Sequence, residues 1–168
     1  MQNISIKKKF LFFTIFILFY VVFYLYLKKG VGNDTSISEW LINYNGGFTR
    51  RGFGGEINIF FANLFSIPLR DAIFFTQTTI HTSYLVLLFF YIRKINLDII
   101  QIFALFSPLF LLYPIAELEA LGRKEILIFL CFTFSLFLSD KKINSKYLNW
   151  FIFIFFPILC LIWEQIIL

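Results

Sequence analysis

The groups best suited to chemistry are concentrated in one glycine-rich segment. The segment covers 43–56 and reads Asn-Tyr-Asn-Gly-Gly-Phe-Thr-Arg-Arg-Gly-Phe-Gly-Gly-Glu, in a chain otherwise rich in phenylalanine, isoleucine and leucine. Arg50 and Arg51 offer planar guanidinium groups that bind phosphate through paired hydrogen bonds, and glycine lets the backbone close around an anion. We predict that both arginines bind a phosphate or diphosphate. The alternative is that they contact lipid headgroups at a membrane surface.

Two carboxylates near this segment are candidates for acid–base chemistry. Glu56 follows the glycines and Asp34 precedes them, and either carboxylate could take a proton from an attacking hydroxyl. Glu56 could instead only cap the helix that it opens. The spacing of Ser36 and Glu39 fits a capping box, which predicts a short helix beginning there, but no local motif accounts for Asp34. We predict Glu56 or Asp34 as the catalytic base.

A second charged segment, 117–125, reads Glu-Leu-Glu-Ala-Leu-Gly-Arg-Lys-Glu. Arg123 and Lys124 could hold a diphosphate, and Glu117 and Glu119 could share a divalent cation, which prefers carboxylate oxygens. The structural alternative is a charged turn between two membrane spans, in which Glu119 pairs with Arg123 four residues later. We predict a substrate-binding turn with a speculative metal site.

Two ionisable groups lie inside apolar runs. Glu164 is flanked by Trp163 and Gln165, and an ionisable group within a membrane span is a functional candidate by default. We therefore predict that Glu164 contributes to substrate binding, unless it only reaches the membrane interface. For His81 we expect an interhelical hydrogen bond rather than a proton relay.

The composition predicts an all-α, polytopic membrane protein. Of the 168 residues, 60% are hydrophobic and 22% aromatic, which is more than a globular core of that size can bury. The net charge of +5 comes largely from lysines at the ends of apolar runs, where they act as topology signals. This pattern indicates a lipid bilayer as partner and argues against nucleic acid.

We predict a single transmembrane domain, 1–168, with five transmembrane helices and an outer loop over 30–71. Within the loop, an apolar stretch at about 57–68 would reach only about 18 Å, too short for a ~30 Å hydrocarbon core, so we expect an interfacial helix. The charges outside the predicted sites favour a cytoplasmic N-terminus, which puts both charged segments outside. The predicted spans are about 10–27, 72–92, 99–115, 124–138 and 148–165.

Two motifs carry a resemblance to a known class of proteins: Gly-Gly-Phe-Thr-Arg-Arg-Gly with the following Glu56, and Gly-Arg-Lys-Glu at 122–125. They resemble motifs of bacterial polytopic proteins encoded with surface-polysaccharide genes, which look like O-antigen polymerases or GT-C-type glycosyltransferases. The resemblance implies an enzyme of the bacterial cytoplasmic (inner) membrane that acts on polyprenyl-phosphate-linked sugars in envelope polysaccharide biosynthesis.

The same resemblance implies roles for individual residues. Asp34 or Glu56 would be the catalytic carboxylate, and Arg50, Arg51 and Arg123 would hold phosphate. The paired-acid signature of GT-C enzymes is absent from the first loop, and such enzymes have many more than five spans. We therefore expect either the N-terminal part of a longer protein or a truncated copy.

Two further functions stay open at this point. A non-catalytic transporter, flippase or assembly subunit could use the same arginines to bind an anionic lipid-linked ligand. A small membrane protein whose loops only anchor it would have the same composition. A polysaccharide-production assay separates enzyme from binding protein. Loss of production in Arg51→Ala with full production in both Glu56→Gln and Asp34→Asn would favour the binding protein, because only an enzyme requires a carboxylate as well as the cation.

Overall fold

The computed structural model describes residues 2–32, 34–49, 51–94, 100, 107, 113–117, 121–140 and 145–162. All regular structure in these ranges is helical, and they contain no strand, so the predicted all-α class is confirmed for them. The helices are α1 (Gln2–Lys29), α2 (Thr35–Leu41), α3 (Gly52–Phe65), α4 (Leu69–Ile92), α5 (Tyr113–Ala116), α6 (Ile126–Asp140) and α7 (Ser145–Ile162).

Two of the described helices are long and apolar enough to cross a membrane: Phe10–Lys29 within α1, and Leu69–Ile92. The apolar parts of α6 and α7, Ile126–Ser139 and Lys146–Ile162, are shorter. At 1.5 Å per residue they reach about 21 Å and about 26 Å, less than the ~30 Å hydrocarbon core. The predicted third span, 99–115, lies mostly outside the described residues. Five spans are therefore not confirmed.

Helix α4 is the element around which the others pack. It contacts α1, α2, α3 and α6, while α7 packs on α3 and α6. The apolar core lies between α1, α4 and α6, where the buried Leu25, Tyr84 and Ile126 belong to one cluster. The ring of Tyr84 meets that of Phe129 edge to face at 6.3 Å. This core packs α1 against the second half of α4.

Helix α1 is joined to the start of α4 by Arg70. The guanidinium donates from Nη1 to the carbonyl oxygens of Lys29 and Val31, both at 3.2 Å, and from Nη2 to that of Gly32 at 3.4 Å. The Lys29 ammonium pairs with the Asp71 carboxylate. These contacts satisfy carbonyl groups that the end of a helix leaves without intrahelical partners. The chain leaving α1 is thereby fixed against α4.

Helix α3 begins at Gly52 rather than near residue 57, so Gly52, Gly54 and Gly55 lie in a helix and not in a loop. Anion binding by this segment stays a prediction. Close packing explains the glycines. A Cβ at Gly55 would overlap the carbonyl oxygen of Ile42, and a Cβ at Gly52 would overlap the ring of Tyr44. The helix also packs on α2, α4 and α7, which is more contact than a helix lying alone in the interface would make.

Replacing Gly55 with alanine should push α3 away from Ile42, because the new methyl group meets backbone that cannot rotate aside. We expect the free energy of unfolding to fall by about 1–3 kcal/mol, the range for overpacking. Denaturation in detergent, followed by circular dichroism, measures it. Gly46→Ala is the matched control, since nothing lies within 4 Å of a Cβ there. Equal stability of the two variants would contradict the packing role.

Candidate functional site

Three buried side chains from three helices hold the turn at Gly122. Lys28 Nζ donates to the carbonyl oxygen of Leu121 at 2.8 Å, and Trp40 Nε1 and Gln77 Nε2 donate to that of Gly122 at 2.7 and 2.8 Å. The φ of Gly122 is +92°, a conformation that favours glycine. The turn at Leu121 and Gly122 is therefore held against α1, α2 and α4.

Asp34 is the N-cap of α2, so the predicted capping box at Ser36 is wrong. Its Oδ1 accepts hydrogen bonds from the N–H groups of Ser36 (2.8 Å) and Ile37 (3.2 Å) and from the Ser36 hydroxyl, and Lys28 Nζ lies 3.6 Å from Oδ2. Burial raises the pKa of Asp34, but these hydrogen bonds and the Lys28 charge together hold it below its usual value. Because the helix starts earlier than expected, Glu39 lies in its second half.

Glu56 also has a structural partner. Its Oε1 accepts a hydrogen bond from the backbone N–H of Tyr44 at 2.7 Å, which ties the first turns of α3 to the preceding loop. The Tyr44 ring stacks on Phe48, with 5.5 Å between ring centroids. Glu56 thus supports the loop and does not cap α3, which begins four residues earlier at Gly52. Its role as a base stays a prediction.

Lys124 is fully buried beside the start of α3. Its Nζ donates to the carbonyl oxygen of Arg51 at 3.2 Å and lies 5.6 Å from the centroid of the Trp40 ring. A Cβ at Gly54 would stand 3.5 Å from this ammonium, so the glycine leaves it room. Burial lowers the pKa of Lys124 to about 8, with Glu39 opposing the shift and Arg51 adding to it. The expected meeting of the two charged segments is confirmed.

Five charged groups act on one another at this junction, and we call them the charged cluster: Glu39, Arg51, Arg123, Lys124 and Glu125. Burial and then the Glu125 charge raise the pKa of Glu39, and the three cations only partly offset the rise. Three buried atoms of the cluster have no hydrogen-bond partner among the described residues: Glu39 Oε2, Arg123 Nε and Glu125 Oε2. Buried polar atoms are ordinarily paired, so these are atoms that a bound polar ligand would satisfy.

The structure brings together three of the predicted substrate-binding residues: Arg51, Arg123 and Lys124. Three other predicted site residues lie outside the described residues: Arg50, Glu119 and Glu164. Glu117 is exposed to solvent, and its pairing with Glu119 at a divalent cation stays a prediction. In the ranges that the structure describes, no three His, Cys, Asp or Glu side chains are grouped as metal ligands.

Several residues of the site were not predicted from the sequence: Lys28, Glu39, Trp40, Gln77 and Glu125. Lys28 is one of two lysines ending an apolar run, a position typical of membrane anchors. Glu125 belongs to the Gly-Arg-Lys-Glu motif, and that membership was the one signal that could have included it. Glu39 was assigned to a capping box, which drew attention away from its side chain.

His81 does not make the expected interhelical bond to any described residue. The ring is fully buried in α4, and Nδ1 lies 2.8 Å from the carbonyl oxygen of Gln77 in the same helix. Nε2 has no hydrogen-bond partner in the described part of the chain. The local bond accounts for one ring nitrogen only.

The described residues thus define a helical protein with two candidate membrane-spanning helices and a partly buried charged cluster. No protein-family model matches the sequence, and neither a curated protein nor a solved structure matches it. The cluster itself combines cations that can bind phosphate with carboxylates that can accept hydrogen bonds from hydroxyl groups.

Proposed function

We propose that this chain belongs to the machinery of bacterial envelope-polysaccharide biosynthesis, as a glycosyltransferase or polymerase acting on polyprenyl-phosphate-linked sugars. In this proposal it is a multi-pass protein of the cytoplasmic (inner) membrane with a cytoplasmic N-terminus and the charged cluster outside. One observation carries the proposal: Arg51 and Lys124 are 73 residues apart in sequence yet in contact, beside Arg123 and two carboxylates.

The cations suit a lipid diphosphate. Guanidinium groups bind phosphate oxygens through paired, charge-assisted hydrogen bonds, and Arg123 Nε is a buried donor with no described partner. Lys124 supplies a second charge from a fully buried position, where attraction is less screened than in water. A diphosphate would offset the cost of burying both cations.

The neighbouring surfaces suit the other two parts of such a substrate. Glu39 and Glu125 each present a buried carboxylate oxygen that can accept a hydrogen bond from a sugar hydroxyl. Helix α3 begins beside Lys124 and exposes large apolar side chains farther along, including Phe60 and Leu64. A polyprenyl tail could follow that apolar face while its headgroup stays at the helix N-terminus, where the helix dipole favours negative charge.

Catalysis at this cluster would depend on charge. As the bond between the sugar and the diphosphate breaks, negative charge develops on the leaving phosphate, and prearranged cations stabilise that transition state. Arg51, Arg123 and Lys124 would supply this stabilisation. A carboxylate must still accept the proton of the attacking hydroxyl.

A non-catalytic lipid-binding protein is the second candidate, and one observation favours it. Both carboxylates predicted as bases are already engaged with the backbone: Asp34 accepts from two N–H groups of α2, and Glu56 accepts from Tyr44. A transporter, flippase or assembly subunit would need only the cations of the charged cluster, without a base.

Equilibrium binding of undecaprenyl diphosphate to the protein in nanodiscs of neutral lipid tests the proposal. Arg123→Gln should weaken binding about tenfold or more, because a charge-assisted hydrogen bond contributes about 1.5–3 kcal/mol. Arg93→Gln is the matched control, since Arg93 is exposed and follows the far end of α4. Equal affinity of both variants would exclude the charged cluster as the binding site.

Enzyme and binding protein are separated by sugar transfer from the lipid diphosphate to a saccharide acceptor. An enzyme transfers sugar, and Arg123→Gln slows the transfer. A binding protein shows the same loss of affinity in Arg123→Gln but transfers no sugar in its unmodified form.

A further inference from the structure

Five carboxylates of the described residues lie in or near the two charged segments that meet: Asp34, Glu39, Glu56, Glu117 and Glu125. Of these, Glu117 is exposed to solvent. Two of the other four have structural duties. Asp34 caps α2 and pairs with Lys28, and Glu56 holds the loop at Tyr44. The carboxylate oxygens that accept these hydrogen bonds are already occupied by groups of the protein itself.

Glu39 is in a different situation. It lies in the second half of α2, half-buried, and its Oε2 has no hydrogen-bond partner among the described residues. The α2 helix is held in place on both sides of Glu39, by Asp34 at its N-terminus and by the Trp40 bond to Gly122. The free carboxylate oxygen is therefore presented by a fixed helix rather than by a loose loop.

Glu39 lies among three cations and a second carboxylate. Arg123, Lys124 and Arg51 all act on its charge, and so does the second carboxylate, Glu125. Burial and the Glu125 charge raise the pKa of Glu39, which makes its carboxylate a stronger base than an exposed glutamate. Glu125 Oε2 is also unpaired among the described residues and can bind a further hydroxyl of the sugar.

We infer that Glu39, rather than Asp34 or Glu56, is the general base of the transfer reaction. This inference rests on the proposed function and names the residue that the function requires. The hydroxyl oxygen of the acceptor attacks the anomeric carbon of the lipid-linked sugar, and the bond from that carbon to the diphosphate oxygen breaks. The hydroxyl proton passes to the Glu39 carboxylate. The polyprenyl diphosphate leaves with its negative charge against Arg51, Arg123 and Lys124.

The test compares Glu39→Gln with the unmodified protein in two assays, binding of undecaprenyl diphosphate and sugar transfer to a saccharide acceptor. Glu39→Gln removes a negative charge next to the cations, so lipid diphosphate should bind at least as tightly as before. Transfer should fall about a hundredfold or more, the usual contribution of a general base. Ser38→Ala, an exposed neighbour on the same helix, should transfer at the normal rate.

A second variant distinguishes loss of the general base from loss of activity through a structural defect. Glu39→Ala should be inactive but recover part of its transfer activity when formate is added, because a small carboxylate can take the vacated position. A structural defect would not respond to formate. If Glu39→Gln transferred sugar at a rate within a few-fold of the unmodified protein, Glu39 would not be the general base. The proposed function would be unaffected by that result. An unmodified protein that binds no lipid diphosphate and transfers no sugar would overturn both.

Discussion

Lys28→Met is expected to destabilise the end of the bundle that carries the charged cluster, lowering the free energy of unfolding by about 3–5 kcal/mol, as removal of one partner from a buried ion pair does. The side chain is buried, and its Nζ contacts the carbonyl oxygen of Leu121, the hydroxyl of Ser36 and the carboxylate of Asp34. Methionine fills similar space but donates no hydrogen bond. Three acceptors from two segments would lose a buried partner at once.

Denaturant unfolding in detergent micelles measures this effect, and the neighbouring lysine supplies the control. Lys29 pairs with Asp71, but both side chains are roughly 30% exposed, and such pairs contribute only about 0–1 kcal/mol. Lys29→Met should therefore leave stability nearly unchanged. If the two variants lost equal stability, the attachment of the Gly122 turn through Lys28 would be contradicted.

The contrast between these two lysines shows what the sequence could predict. Composition alone predicted helices, since apolar runs of this length have few other solutions, and the described residues are helical. Lys28 and Lys29 are adjacent and look equivalent in sequence, yet the Lys28 side chain is buried and the Lys29 side chain is partly exposed. Which lysine turns inward depends on where Leu121 lies, and no local pattern contains that information.

The glycine-rich segment shows the same limit from the opposite direction. Glycine allows both unusual φ angles and close contact, and the sequence does not say which property is used. At Gly122 the φ of +92° requires it, whereas at Gly55 the nearby Ile42 carbonyl does. The sequence predicted a backbone that closes around an anion, whereas the group that approaches Gly55 in α3 is the Ile42 carbonyl.

The site was predicted better in its cations than in its carboxylates. Arg51, Arg123 and Lys124 stood out because charges are conspicuous in an apolar chain, and they converge as expected. The carboxylates were ranked by local motifs, which assigned Glu39 to capping and left Asp34 free. In the structure Asp34 is the cap and Glu39 is not, because the start of α2 is set by the side chain that accepts from its free N–H groups.

Lys124→Met should change stability and ligand binding in opposite directions. In the folded protein burial lowers the pKa of Lys124 to about 8, while the unfolded chain keeps a pKa near 10.5. Between these two values the unfolded chain binds more protons than the folded one, so the free energy of unfolding contributed by Lys124 rises with pH. Lys124→Met should lose this rise and, near neutral pH, should be at least as stable as the unmodified protein.

Binding of undecaprenyl diphosphate should follow the opposite trend. Only the protonated ammonium attracts the diphosphate, so affinity should decline above pH 8, approaching tenfold per pH unit, since one proton is involved. The bound anion raises the pKa of Lys124 in the complex, so the decline begins near pH 8 and ends at that higher pKa. At pH 7, Lys124→Met should bind undecaprenyl diphosphate about tenfold or more weakly than the unmodified protein does. The affinity of this variant should not decline above pH 8.

The two measurements together separate a ligand-binding lysine from a structural one. The Glu39 charge raises the pKa of Lys124, and the Arg51 charge lowers it. Together these two neighbours do not offset the cost of burying the ammonium. If Lys124 served only the fold, through its bond to the Arg51 carbonyl, Lys124→Met would lower stability and leave lipid binding unchanged. If Lys124→Met is at least as stable as the unmodified protein but loses diphosphate affinity, the Lys124 charge serves ligand binding rather than the fold.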